Sequence, residues 1–307
     1  MSTGRDNAAW VHPRGSLAAR GWEVDLTDGI AGWQHAGLLV ATLTPGEVRE
    51  VELAGREAIV IPLAGGVHVR AERSGRVDEA SLAGRESVWS GPSDVAYVPT
   101  GSHLTLTGTD SSSGTGTGSA RIAVALAADQ SGTQPPAFRH LPASEVPIEL
   151  RGAGIASRQV RNFGVPGVLD ANRLIACEVI TPAGNWSSWP PHKHDTERAG
   201  VESDLAEIYY VETRSTDPRG TDPLGLLRVY AAGERPIDVL TEVRTGDVVL
   251  VPHGWHGPAV AAPDADLYYL NVMAGPGPQR AWLICDDPAH AWVRESWPSL
   301  PIDPRLS

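Results

Sequence analysis

The stretch Asn185-Trp-Ser-Ser-Trp-Pro-Pro-His-Lys-His-Asp195 decides the reading of this chain. His192 and His194 stand two residues apart. In a β-strand such residues share a face, so both imidazoles leave one side and Lys193 leaves the other. Two imidazoles aimed at one point suit a divalent metal of the zinc, manganese, iron or nickel kind. Downstream come Glu207, opening Glu207-Ile-Tyr-Tyr210, and His256, closing Gly246-Asp-Val-Val-Leu-Val-Pro-His-Gly-Trp-His256. His192, His194, Glu207 and His256 are therefore the expected ligands of one ion, zinc by preference. Such a set leaves coordination positions open for a substrate, and the chain reads as a metal-dependent enzyme.

The remainder of the chain frames that site. Its 307 residues have room for one large or two ordinary domains. With 33 glycines and 25 prolines, turns must be frequent and strands short. A formal net charge of −12 without a basic run argues against nucleic acid and anionic membranes, both of which reward clustered Lys and Arg. The two cysteines, Cys177 and Cys285, sit alone in apolar runs, which excludes a disulfide framework and points to a reducing cytoplasm. No signal peptide and no membrane-spanning run is expected. The partner is a small molecule, bound by a monomer or a homo-oligomer.

Short alternating runs such as Gly37–Leu43, Ala58–Leu63, Val95–Val98, Arg173–Ile180, Gly225–Tyr230 and Leu267–Val272 recur between Gly, Pro and Asp punctuation. That is the rhythm of a sandwich or barrel, and the fold class is all-β. The low-complexity Asp110–Ser119 reads as a hairpin tip, and residues 129 to 150 as the crossover between halves. Asp94-Val-Ala-Tyr-Val-Pro-Thr-Gly-Ser-His103 aligns without a gap on Asp247-Val-Val-Leu-Val-Pro-His-Gly-Trp-His256. A match at half-length favours an internal duplication. Residues 1–145 are then an N-terminal domain lacking His-x-His and hence the metal, and residues 146–307 a domain carrying the site. His103 is expected to be a relic.

Gly246-x5-Pro252-x-Gly254-x-His256, preceded by His192-x-His194 and a later Glu, resembles the two motifs of the cupin superfamily, whose members are antiparallel β-barrels. Two in one chain make a bicupin. Pro182-Ala-Gly-Asn-Trp-Ser-Ser-Trp-Pro-Pro-His-Lys-His-Asp195, Glu207-Ile-Tyr-Tyr210, Asp266-Leu-Tyr-Tyr-Leu-Asn-Val-Met-Ala-Gly275 and Asp286-Asp-Pro-Ala-His-Ala-Trp292 more closely resemble the 5-deoxy-glucuronate isomerase family of myo-inositol catabolism. The resemblance spans most of residues 155 to 295. It implies an aldose–ketose isomerase converting 5-deoxy-D-glucuronate to 5-dehydro-2-deoxy-D-gluconate, through an enediolate or a hydride shift. A uronate ketol-isomerase of pectin breakdown, a cupin dioxygenase and a non-catalytic sugar-binding bicupin are the rival readings. The glutamate lies farther from His194 than in the generic motif, and Glu197, Glu202 and Asp204 compete with Glu207 in the intervening loop. His253 competes with His256.

The chemistry also needs a base and a cation for the substrate carboxylate. Glu178, Asp195, Tyr210 and Tyr230 are the candidate catalytic groups, able to move a proton or donate to an oxyanion. Arg228, two residues before Tyr230, is the first candidate for the carboxylate, with Arg161 and Arg280 behind and Trp186 at the pocket mouth.

Overall fold

The computed structural model describes residues 4–27, 29–110, 118–129 and 132–306; most of the Asp110–Ser119 stretch lies outside them. Among the described residues the α-helices are single turns, Asn7–Trp10 and Val293–Ser296, and strands make up the architecture. Among the described residues no helix is long and apolar enough to cross a membrane. Two antiparallel β-barrels lie side by side.

In the N-terminal barrel the 18-residue strand Arg56–Arg73 serves both walls. Its first half pairs with Val95–Val98 and Ala120–Ala128, its second with Arg76–Arg85 and His103–Gly108. The register shifts around Pro62–Val67, where the strand turns the corner of the barrel. The C-terminal barrel closes a seven-stranded sheet, which includes Arg158–Gly164, Ile175–Thr181, Ala206–Ser215, Val248–Val251 and Ala265–Ala274, over a second sheet. That second sheet contains Gly225–Ala232, Arg235–Val243, Trp255–Ala261 and His192–Lys193.

Three apolar clusters follow from strand alternation. In Ala265–Ala274, Leu267, Tyr269 and Met273 fill the C-terminal barrel, while Tyr268, Leu270 and Val272 face the other domain. They meet Leu38, Val40, Ile59, Ile61 and Tyr97 there, so the two large sheets share one continuous core. This explains why these strands read as unbroken apolar runs: both faces are covered.

The two aligned segments become buried strands, Val95–Val98 and Val248–Val251. Val251 pairs with Glu207, whereas Val98 pairs with Ala58, so the first barrel carries a methyl group where the second carries a carboxylate. His103, the counterpart of His256, is half-exposed and bonds Glu52 at 2.5 Å.

The strands up to Arg139–Leu141 belong to the first barrel and those from Ile148–Arg151 onward to the second. The start of the chain departs from this division. Val11 and His12 pair with Val249 and Val248, and the Asp6 and Gly4 amides donate to the carbonyls of Asp238 and Leu240. These first residues, expected with the N-terminal domain, complete an edge of the C-terminal one.

Candidate metal centre

His192 pairs directly across from His256, which places both imidazoles on one face of the smaller sheet. The ring centroids of His192 and His194 lie 4.4 and 4.7 Å from that of His256. One ligating atom from each of the three lies within 4.8 Å of the others, the one such cluster among the described residues. Glu207, at the start of the larger sheet's strand Ala206–Ser215, projects toward them. Its Oε2 is 3.2 Å from His194 Nε2 and 3.1 Å from His256 Nε2. Glu202 instead pairs with Lys193 and Arg198, and His253 faces Pro236 outside the cluster.

Local sequence explains the aim of each ring. Gly254 has φ +93, and a Cβ there would meet the Tyr230 carbonyl at 2.6 Å, so only glycine makes the turn that swings His256 inward. The Nδ1 of His194 donates to the Leu205 carbonyl at 3.1 Å and that of His256 to the Gly254 carbonyl at 3.2 Å, which turns each Nε2 toward Glu207. His256 Nε2 is buried without a hydrogen bond. Burial, with the neighbouring histidines, holds His192 well below the ordinary imidazole range and so neutral. Burial opposes the charge on Glu207, but contact with His194 and His256 outweighs it and draws the carboxyl to about 2. Three imidazoles converging on an ionised carboxylate, with the His256 nitrogen unsatisfied among them, fit a divalent cation.

Asp195 ties the two histidine motifs together. Its Oδ1 accepts from Lys193 Nζ at 2.6 Å, and its Oδ2 accepts from the Gly254 amide at 2.8 Å and faces Arg235 at 2.9 Å. Burial opposes the charge, yet these donors draw its pKa to about 2. A carboxylate held this firmly is a poor proton acceptor, which counts against Asp195 among the candidate catalytic groups.

The other expected catalytic and substrate residues fall outside the barrel interior, and for those on strands alternation is the reason. Glu178 lies between Cys177 and Val179, which face the interior, and so points at the domain boundary; there Arg85, Arg161 and Tyr268 engage it. Tyr210 likewise faces the first barrel and meets Arg121 and Glu212, while Tyr209 faces inward. Val229 faces inward between Arg228 and Tyr230. Arg228 therefore pairs with Asp238 at 2.5 Å on the outside, and Tyr230 donates to Asp287. Trp186 packs edge-on against Trp189, 5.4 Å between centroids, while its neighbour Ser187 points inward. Arg161 donates to the Val88 and Gly91 carbonyls, and Arg280 to those of Gly164, Leu169 and Leu174.

A different set surrounds the cluster. Tyr209, its ring 6.5 Å from that of His256, and Tyr269 both approach the Ser188 hydroxyl, at 3.3 and 3.5 Å. A cavity of about 170 Å³ opens at His192 and is lined otherwise by Arg151, Arg158, Trp282, Ile284 and Arg294. A larger cavity of about 670 Å³ lies in the N-terminal barrel, away from the three histidines. Arg158 is 5% exposed, and burial lowers its guanidinium to about 10, still protonated at neutral pH. Counting by twos would have found these residues: Tyr209 shares a face with Glu207, and Arg158 shares one with the inward Val160.

Fold and cluster together define a two-barrel cupin protein with a candidate metal centre in its second barrel. The chain belongs to the KduI/IolB family, whose sequence model matches residues 10–293. It is 39% identical over 279 residues to the 5-deoxy-glucuronate isomerase of Geobacillus thermodenitrificans, covering 89% of this chain and 91% of that one. To the 5-deoxy-glucuronate isomerase of Geobacillus kaustophilus it is 37% identical over 292 residues, covering 93% and 95%. Among solved structures, an IolB-like protein from Salmonella typhimurium is 30% identical and superposes with a TM-score of 0.78 over 93% of this chain and 99% of that one. The oxalate decarboxylase of Lactobacillus farciminis, 11% identical, superposes with a TM-score of 0.59 over 84% and 80%, a likeness of fold alone.

Proposed function

We propose that this chain is an aldose–ketose isomerase of inositol catabolism that converts 5-deoxy-D-glucuronate to 5-dehydro-2-deoxy-D-gluconate. The carrying observation is the trio His192, His194 and His256 around Glu207, in a chain whose relatives bear the isomerase name. His192, His194, His256 and Glu207 would hold one divalent ion, zinc by preference. When bound, the ion supplies Lewis acidity that polarises the aldehyde and acidifies the neighbouring C–H.

The chain's own groups do the rest. Asp195 fixes the Gly254 turn and thereby the aim of His256. Tyr209 replaces Tyr210 as the hydroxyl beside the reacting centre. Burial raises its pKa well above the usual phenol range, so it stays protonated and serves as a hydrogen-bond donor to developing negative charge rather than as a base. The free state of both cysteines supports a reducing, cytoplasmic setting.

The test is turnover of 5-deoxy-D-glucuronate by the purified chain, followed by NMR, with chelator and metal add-back. Ketose formation that disappears with chelator and with His192→Ala is the expected result. No conversion by the fully metallated protein would overturn the assignment, and oxygen consumption would then be measured for the dioxygenase reading.

A further inference from the structure

We propose that the cavity beside His192 is an anion subsite in which Arg158 selects the carboxylate of a sugar acid; the identity of that acid rests on the isomerase reading above. Arg151 is held by Glu149 at 2.7 Å and Arg294 by Asp286 at 2.7 Å. Arg158 has no carboxylate partner among the described residues. Its Nη1 donates to the Ala156 and Trp189 carbonyls at 3.0 and 3.5 Å, and its other N–H groups have no protein acceptor there. Three guanidinium groups against two carboxylates leave one positive charge at a buried wall, which one monoanion neutralises. An uncompensated buried charge is expensive, and its persistence calls for a ligand that supplies the counter-charge.

The walls complete the recognition. Trp282 forms part of the lining, and its indole N–H is buried without an acceptor. The Trp297 ring lies under both Arg158 and Arg294, at 5.5 and 4.9 Å, which fixes the planes of those two guanidinium forks. At about 170 Å³ the cavity suits a single short acid rather than an oligosaccharide. Because His192 forms part of the same lining, an acid held at Arg158 presents its far end to the histidine cluster. Binding and orientation are then one event, and a neutral sugar of equal length loses both.

The experiment measures binding without turnover. Chelator-treated full-length protein is titrated with D-gluconate, which has no aldehyde, and with sorbitol, its neutral counterpart, and the change in tryptophan fluorescence is followed. Gluconate is expected to bind at least tenfold more tightly than sorbitol. Arg158→Gln is expected to abolish that difference, Arg158→Lys to retain part of it, and Arg228→Gln to behave as the unaltered chain. Gluconate should also raise the melting temperature of the unaltered protein and not that of Arg158→Gln. Equal binding of the two ligands, or gluconate affinity unchanged in a folded Arg158→Gln, would overturn the subsite. Arg158-dependent gluconate binding in a protein that does not turn over 5-deoxy-D-glucuronate would keep the subsite and sink the isomerase reading. Turnover with Arg158-independent binding would do the reverse.

Discussion

Arg85 of the N-terminal barrel grips Glu178 of the C-terminal barrel with both ends of its guanidinium, and neither side chain is more than 3% exposed. Tyr268 donates to the same carboxylate at 2.8 Å, and Arg161 stands 3.5 Å away. A glutamate that sequence alone offers as a base is in fact the electrostatic pin between two domains.

Glu178→Gln should therefore reduce stability and leave the chemistry alone. Removing one partner of a buried pair costs about 3–5 kcal/mol, because the other charge is left stranded. Burial raises the Glu178 pKa, but Arg85 and Arg161 more than reverse this, and the net shift is downward from 4.5. A depressed carboxylate adds stability that is fully present above pH 4.5 and is lost as the pH falls through the lower folded value. Urea unfolding across pH 3 to 7 should show that acid limb in the native chain and a shallower one in the variant. A change in the pH profile of kcat/KM instead would restore Glu178 to the chemistry.

Asp195→Asn tests the bracing of the histidines. The amide keeps the shape but loses the charge that holds Lys193, Arg235 and the Gly254 amide. Supports of this kind are worth about 10- to 100-fold in metal affinity. Competition against a chromophoric chelator should show a loss in that range, with turnover recovering at saturating metal. Unchanged affinity would leave Asp195 with no part in aiming His194 or His256.

The neighbouring tyrosines make a paired test. Tyr209→Phe removes the hydroxyl that meets Ser188 on a ring 6.5 Å from that of His256, and should lower kcat by about 100-fold, the scale of a positioned proton donor. Tyr210→Phe removes a hydroxyl that meets Arg121 at the domain boundary and should change melting temperature alone. Steady-state kinetics on both decide it, and equal kcat values would remove Tyr209 from the reaction.

The His-x-His pair was legible because two residues in a strand suffice to set a shared face, and the Pro-x-Gly-x-His turn because Gly254 needs a backbone that other residues rarely adopt. Glu207 was legible as the residue opening an aromatic strand. The rest failed for one physical reason. Both faces of the large C-terminal sheet are buried, one in the barrel and one against its twin, so a polar residue such as Glu178, Arg161 or Tyr210 gives no sign of which interior it faces. Arg228 and Tyr230 share a face, as their spacing requires, but Val229 between them takes the inner one. The pocket's cations come from residues far apart in the chain, Arg151 and Arg158 on one side and Arg294 on the other, and no local pattern unites them.

The opening residues of the chain lie along the second barrel, where Val11 and His12 continue the sheet beyond Val248–Val251. The protein is thus stitched rather than strung: the first barrel is bracketed in sequence by two pieces of the second. Severing the chain between the barrels would not free two self-sufficient modules. A fragment beginning after residue 145 would expose the backbone donors and acceptors of Val248 and Val249 as an open template, the kind of edge on which strands from other molecules add. The two barrels are joined by a shared strand edge as well as by a shared core.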